Sequence, residues 1–229
     1  MDFILQGIAQ AFVLLVRGDW ETYSAVLATV QVSTLSMSAS LLIGIPLGYL
    51  LGYLDFPGKK PLRTVVDTLL SLPTVFIGLV VYAFLSYRGP FGELGLLFPL
   101  TGIAIGQTIL ALPVVISLTA TAVESLDRHL RLTLLSLGAS PRQVFLTSLW
   151  EARLGLLIAA VTATGRVLTE VGISMMVGGN IKWQTRTITT AIALETNKGQ
   201  FATGIALGLI LLALAFAINI SLSFLRRRV

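Results

Sequence analysis

Between Leu100 and Ala122 the chain runs without one charged residue. A helix that crosses a bilayer needs roughly 20 apolar residues, so this segment alone places the chain in a membrane. Four more segments read the same way: Tyr23 to Leu54, Leu62 to Tyr87, Arg153 to Met176 and Phe201 to Phe224. Charged residues make up only 12% of the 229, about half the share of a water-soluble domain. The length suits one helical membrane domain with no separate soluble one. The fold class expected is therefore an all-α polytopic membrane protein with five spans. Phe3 to Val16 is apolar and of helical period but short for a span. It is expected to lie along the outer interface, with a sixth span as the alternative. The start is acidic at Asp2 and lacks a basic n-region, so no cleavable signal is expected.

The charges orient the spans. One side carries Lys59, Lys60, Arg63, Arg128, Arg131, Arg142, Arg153, Arg226, Arg227 and Arg228; the other carries Arg17, Arg88, Lys182, Arg186 and Lys198. The richer side is cytoplasmic. The net charge of +5 thus reports loop orientation rather than nucleic-acid binding. Cysteine is absent, which excludes disulfides and thiolate metal sites. His129, the single histidine, has no ligand partners at metal spacing and reads as a solvated side chain. No Ser/His/Asp or paired-carboxylate pattern is present, so no catalysis is expected, nor any cofactor. There is no Walker A pattern, so the chain does not bind ATP through a P-loop.

The cytoplasmic region 124–151 holds a polar hinge between apolar runs. Gly138 has the residue type of a C′ position that ends a helix. Ser140 suits an N-cap, with Pro141 at N1 and Gln143 at N3 forming a capping box. Two short helices at an angle would form an exposed knob, with Val144, Phe145 and Leu146 as apolar surface and Arg142 as a rim charge. Membrane spans on either side make a DNA-binding reading of this helix-turn-helix remote.

Ser136-Leu137-Gly138-Ala139-Ser140, followed by Gly155, resembles the cytoplasmic EAA loop of ABC importer permeases. The Glu-Ala-Ala triplet of that loop is replaced by Leu132-Thr133-Leu134, and Trp150 stands where proline is usual. Ser71-Leu72-Pro73-Thr74-Val75 is similar to a proline motif in the second span of these permeases. Gly165-Arg166-Val167-Leu168-Thr169-Glu170-Val171-Gly172 is similar to a fourth-span motif of their oxyanion branch, which imports molybdate, tungstate and sulfate. Gly178-Gly179-Asn180-Ile181, Thr185-Arg186-Thr187 and Ala191 to Thr196 resemble the tungstate group most closely. The resemblance runs from about Tyr23 to the C-terminus. It implies the five-span core of a type I importer permease in a bacterial or archaeal plasma membrane, with residues 1–20 as an interfacial helix and 21–229 as the permease domain. It implies two copies of the chain, a cytoplasmic ABC ATPase docked on Ser136, Leu137, Gly138, Ala139, Ser140, Arg142, Val144 and Phe145, and an extracytoplasmic substrate-binding protein. Tungstate is the implied cargo, with molybdate or another small anion, or a non-transporting scaffold, as alternatives. Anion selection is implied to lie mainly in the binding protein.

Two charges fall inside the fourth segment. Arg166 and Glu170 are four residues apart, so on one continuous helix they share a face and can pair. Each costs about 2.5–3.5 kcal/mol at the bilayer centre on insertion scales. They read either as residues of a translocation path or gate, or as a structural ion pair. Asp67 is expected to pair with Arg63, and Gln31, Ser33, Thr34, Ser36, Ser38 and Ser40 to make interhelical hydrogen bonds. A short outer helix is expected around Thr187 to Thr196, either sealing the outer mouth or resting on lipid. Arg166, Lys182 and Arg186 are the nearby cations available to a dianion.

Overall fold

The computed structural model describes residues 4–9, 13 and 19–228, and all its regular structure is helical. The helices are α1 (Trp20–Tyr53), α2 (Lys59–Leu69), α3 (Thr74–Leu85), α4 (Leu100–Glu124), α5 (Arg128–Ser136), α6 (Pro141–Glu151), α7 (Arg153–Leu168), α8 (Gly172–Gly178), α9 (Ile188–Asn197) and α10 (Phe201–Arg228). Three are long and apolar enough to cross a membrane: Trp20–Tyr53, Leu100–Glu124 and Phe201–Ser221. Two bent pairs, α2 with α3 and α6 with α7, bring the number to five if each pair is one span. The expected interfacial helix over 1–20 falls largely outside the described residues. Residues 4–9 are helical, and Gly7 sits directly against Ile205 of α10.

The centre of the molecule is the α1/α4 pair. Asp19 caps α1 by accepting from the Thr22 amide at 2.8 Å, satisfying one of the free N-terminal donors. Further along, Gly44, Gly48 and Gly52 recur every fourth residue, a small-residue seam that lets backbones approach. A Cβ at Gly48 would lie 2.7 Å from the Ile116 carbonyl oxygen, and one at Gly52 2.6 Å from that of Ala120. Of the polar residues of α1 expected to bond between helices, Ser36 and Ser40 do so, and Gln31, Ser33, Thr34 and Ser38 do not among the described residues. Ser36 Oγ donates to Gln107 Oε1 at 3.3 Å, and Thr108 Oγ1 donates to the Ser36 carbonyl at 3.4 Å.

The other helices pack around this pair by their small and branched side chains. Ala163 and Val167 of α7 join Met37, Ala111, Val114 and Val115 in one core cluster. Ile77, Val81 and Leu85 of α3 meet Leu110 of α4 and Ile173 and Val177 of α8. On the outer side Ala25 meets Ile188 and Ala191 of α9 and Leu207 and Ile210 of α10.

The second and fourth segments differ from their expected continuous form. The run Leu62 to Tyr87 is broken at Leu70–Pro73, with a 96° bend between α2 and α3. The end of α2 tightens, with amides of Leu70, Ser71 and Leu72 each bonding three residues back. Proline disfavours the helical region for the residue before it, here Leu72, and Pro73 itself stands in extended conformation as the N-cap of α3. The run Arg153 to Met176 is likewise not one helix. It stops at Leu168 and restarts at Gly172, and a 67° bend separates α7 from α6 below it.

Candidate functional site

The knob is built entirely from local rules. Asp127 caps α5 through the His129 amide at 2.8 Å. At the other end Gly138 adopts φ 74°, a left-handed conformation that glycine takes without the Cβ penalty. The Gly138 amide bonds the Leu135 carbonyl at 3.0 Å and the Ala139 amide bonds the Leu134 carbonyl at 3.0 Å. These are the two reverse bonds of a Schellman ending. One residue later Ser140 caps α6. Its amide donates to Gln143 Oε1 at 2.7 Å, and the Gln143 amide donates to Ser140 Oγ at 3.4 Å, with Pro141 in the first turn. Most of the orphaned backbone groups between the two helices are thereby satisfied locally, so the hinge is a stiff unit.

Ser136, Leu137, Gly138, Ser140 and Arg142 are exposed and Ala139 is half-buried. Leu137 is 78% exposed, the tip of the knob. Val144 and Phe145 do not present the outward surface expected of them. Val144 is buried, and Phe145 packs edge-on against Tyr49 of α1 with ring centroids 4.7 Å apart. Tyr49, Val123 and Ala152 form the cluster that receives it. On α6 the residues at Val144, Phe145 and Ser148 therefore bolt the knob to the spans, while Leu146 and Trp150 point away. The exposed apolar surface is completed by Leu132 and Leu135 of α5, which the sequence reading did not select. Their spacing of three on a short amphipathic helix was the available signal. Beside them lies a cleft of about 750 Å3 lined by Tyr53, Asp55, Lys59, Glu124, Leu132 and Leu135.

A polar network clamps α2 to the same end of α4. Arg63 pairs with Asp67 at 3.3 Å, as expected, and also with Glu124 at 3.7 Å. Lys59 reaches Glu124 at 3.4 Å and Asp55 at 3.5 Å. Ser117 Oγ donates to Asp67 Oδ1 at 2.7 Å, and Arg63 Nη2 donates to Thr121 Oγ1 at 2.6 Å.

The expected pairing of Arg166 with Glu170 is not made. Because α7 ends at Leu168, Glu170 lies beyond the helix and the four-residue spacing no longer puts the two on one face. Glu170 is 5% exposed and turns forward, its Oε1 accepting from the Ile173 amide at 2.9 Å to open α8. Its backbone carbonyl accepts from Thr189 Oγ1 of α9 at 2.8 Å. Arg166 is exposed, and its guanidinium has no hydrogen-bond or ion-pair partner among the described residues.

The outer loop is tied down instead. Glu21 at the start of α1 takes Lys182 Nζ at 2.7 Å and also pairs with Arg186, whose Nε donates to Asn180 Oδ1 at 3.2 Å. Thr187 caps α9 in a capping box with Thr190, and the Ile188 amide donates to Thr29 Oγ1 at 2.9 Å. The first turn of α9 is buried in protein, so this helix does more than rest on lipid.

Residues 44–229 match the family model described as binding-protein-dependent transport system inner membrane component. The tungstate uptake system permease protein TupB of Campylobacter jejuni is 47% identical over 99% of this chain and 95% of its own. The protein of the same name from Peptoclostridium acidaminophilum is 38% identical over 96% of each chain. Among solved structures, a chain of the MetNI methionine ABC transporter in an inward-facing conformation superposes with TM-score 0.76 at 22% identity, over 91% of this chain and 96% of that one. At that identity the match speaks for the fold.

Proposed function

The chain belongs to the family of binding-protein-dependent transport system inner membrane components, and from that premise we propose that it is the permease subunit of an ATP-driven importer of tungstate. It is a multi-pass membrane protein and carries no energy source of its own. Hydrolysis belongs to a cytoplasmic ABC ATPase, which docks on the α5/α6 knob, and delivery belongs to an extracytoplasmic binding protein. Two copies of the chain enclose the path. Similarity to two tungstate permeases over nearly their full lengths supports the cargo.

The observation that carries the coupling role is the knob itself. Leu132, Leu135, Leu137, Leu146 and Arg142 present an apolar surface with a charged rim. The Schellman ending and capping box keep that surface rigid, and the Phe145–Tyr49 contact fixes it to α1. A push on such a unit moves the spans as a rigid body. Because the chain has no cysteine, a single L137C variant gives an unambiguous probe. It is expected to cross-link to a surface cysteine on the ATPase and to change cross-linking yield between nucleotide-free and ATP-bound states. Absence of any cross-link in an assembled, hydrolysing complex would remove the docking role.

A further inference from the structure

Building on the importer reading, we propose that Arg166 is the transit site for the anion, a guanidinium exposed to the water path between two copies of the chain. Arg166, Lys182 and Arg186 are cations of the fourth segment and the loop directly after it that could meet a dianion. Lys182 and Arg186 are both held by the single carboxylate of Glu21, which ties them in place and offsets one of their two charges. Arg166 is left with an exposed side chain and no partner among the described residues. An unpaired charge facing lipid near the bilayer centre costs about 2.5–3.5 kcal/mol on insertion scales, so a face of a span that carries one is a face that lipid does not cover.

The rest of that face agrees. Thr162 lies one turn before Arg166 on the same face and is exposed; Thr169, just past the end of α7, is exposed too, although its hydroxyl already donates to the Gly165 carbonyl at 3.0 Å. On α1, Gln31, Thr34 and Ser38 are exposed in a stripe at spacings of three and four. On the helical wheel this stripe adjoins Met37, Leu41 and Ile45, the side of α1 that packs with Ala163 and Val167 of α7. Elsewhere hydroxyls in the spans hide their polarity by bonding a carbonyl one turn back, as Thr108, Thr121 and Thr164 do. Thr34 and Ser38 make no such bond among the described residues, and neither they nor Gln31 has a side-chain partner there. A polar, unsatisfied surface spanning two helices inside a bilayer lines a water-filled cavity or meets another polar surface.

The charge pattern selects the ligand. Glu170 is the nearest carboxylate along the chain, and it is buried and turned away onto the Ile173 amide. The face therefore offers one positive charge with hydroxyl and amide donors, suited to a tetrahedral dianion. One cation per copy without an enclosing cage attracts the ion yet releases it, as conduction requires.

The test uses the full importer, permease with ATPase and binding protein, in proteoliposomes loaded with ATP. The readout is tungstate taken up per ATP hydrolysed. R166Q is expected to lower this ratio about tenfold or more, and R166K to keep most of it. R166C is expected to behave like R166Q until treated with 2-aminoethyl methanethiosulfonate, which restores a cation and with it the ratio. The anionic 2-sulfonatoethyl reagent should not restore it. Because the same folded R166C sample is read before and after modification, a folding defect cannot mimic the result. A wild-type ratio in R166Q would overturn the proposal, as would uptake and hydrolysis falling in proportion, or equal effects of the two reagents. If the wild-type importer moves no oxyanion, the importer reading itself fails and the transit site with it. If the wild type transports and R166Q matches it, only the transit site fails.

Discussion

At the scale of single residues, two positions carry distinct physics. Gly138 has nothing within 4 Å of where a Cβ would stand, so a substitution there meets no clash and its cost is conformational. A β-branched residue at φ 74° is strained by about 1–2 kcal/mol, whereas asparagine tolerates this region. Gly138→Val is therefore expected to reduce co-purification of the ATPase, and Gly138→Asn to preserve it. Equal yields for wild type and Gly138→Val would contradict the role given to the turn. Glu170 acts as a helix cap, not as half of an ion pair. Glu170→Ala is expected to destabilise the detergent-solubilised protein by roughly 0.5–2 kcal/mol, the usual range for a lost cap, and Glu170→Gln, which keeps an acceptor, by less. In a double-mutant cycle on thermal stability, R166L and E170L should add within about 0.5 kcal/mol, as independent sites do. A larger coupling energy would reinstate the pair.

At the scale of elements, what could be read from the sequence was what is local. The knob's stop at Gly138 and restart at Ser140 were legible because caps depend on residues within one turn of each other, and so was the Arg63–Asp67 pair at one-turn spacing. The short helix expected around Thr187 to Thr196 forms as α9, with Thr187 as its cap. The breaks at Leu70–Pro73 and Thr169–Val171 were not legible as breaks, since apolar content looks alike in a straight and a bent span. Glu170 was misread for that reason: the one-turn spacing to Arg166 has meaning only on a continuous helix. Neither was the Glu21 clamp on Lys182 and Arg186 legible, because its partners are brought together by the packing of α9 and α10 on α1. The close seam of α1 on α4 gives a sharp element-level expectation. Gly48→Leu forces side-chain atoms against the Ile116 carbonyl and Thr119, overpacking that costs about 1–3 kcal/mol or more. It should abolish a monodisperse peak on size-exclusion chromatography. A wild-type elution profile and melting curve would contradict the seam.

At the scale of the whole molecule, orientation and assembly decide function. By the positive-inside rule, ten Lys and Arg residues on one side against five on the other predict the knob in the cytoplasm and the α9 region outside. Single cysteines at Pro90 or Gln184 should react with an impermeant thiol reagent in intact cells, and one at Ser140 only after the membrane is opened. Labelling at Ser140 from outside would invert the molecule and take the docking surface away from any ATPase. The central claim is that this chain conducts an oxyanion when a partner hydrolyses ATP. It is tested most directly by initial uptake of radiolabelled tungstate into proteoliposomes holding the purified permease, its ATPase and its loaded binding protein. The account predicts uptake that requires internal ATP, requires the binding protein, and falls in the Gly138→Val variant together with hydrolysis. Tungstate entry that is indifferent to ATP, or ATP hydrolysis stimulated by the loaded binding protein with no entry of tungstate or molybdate, would contradict it.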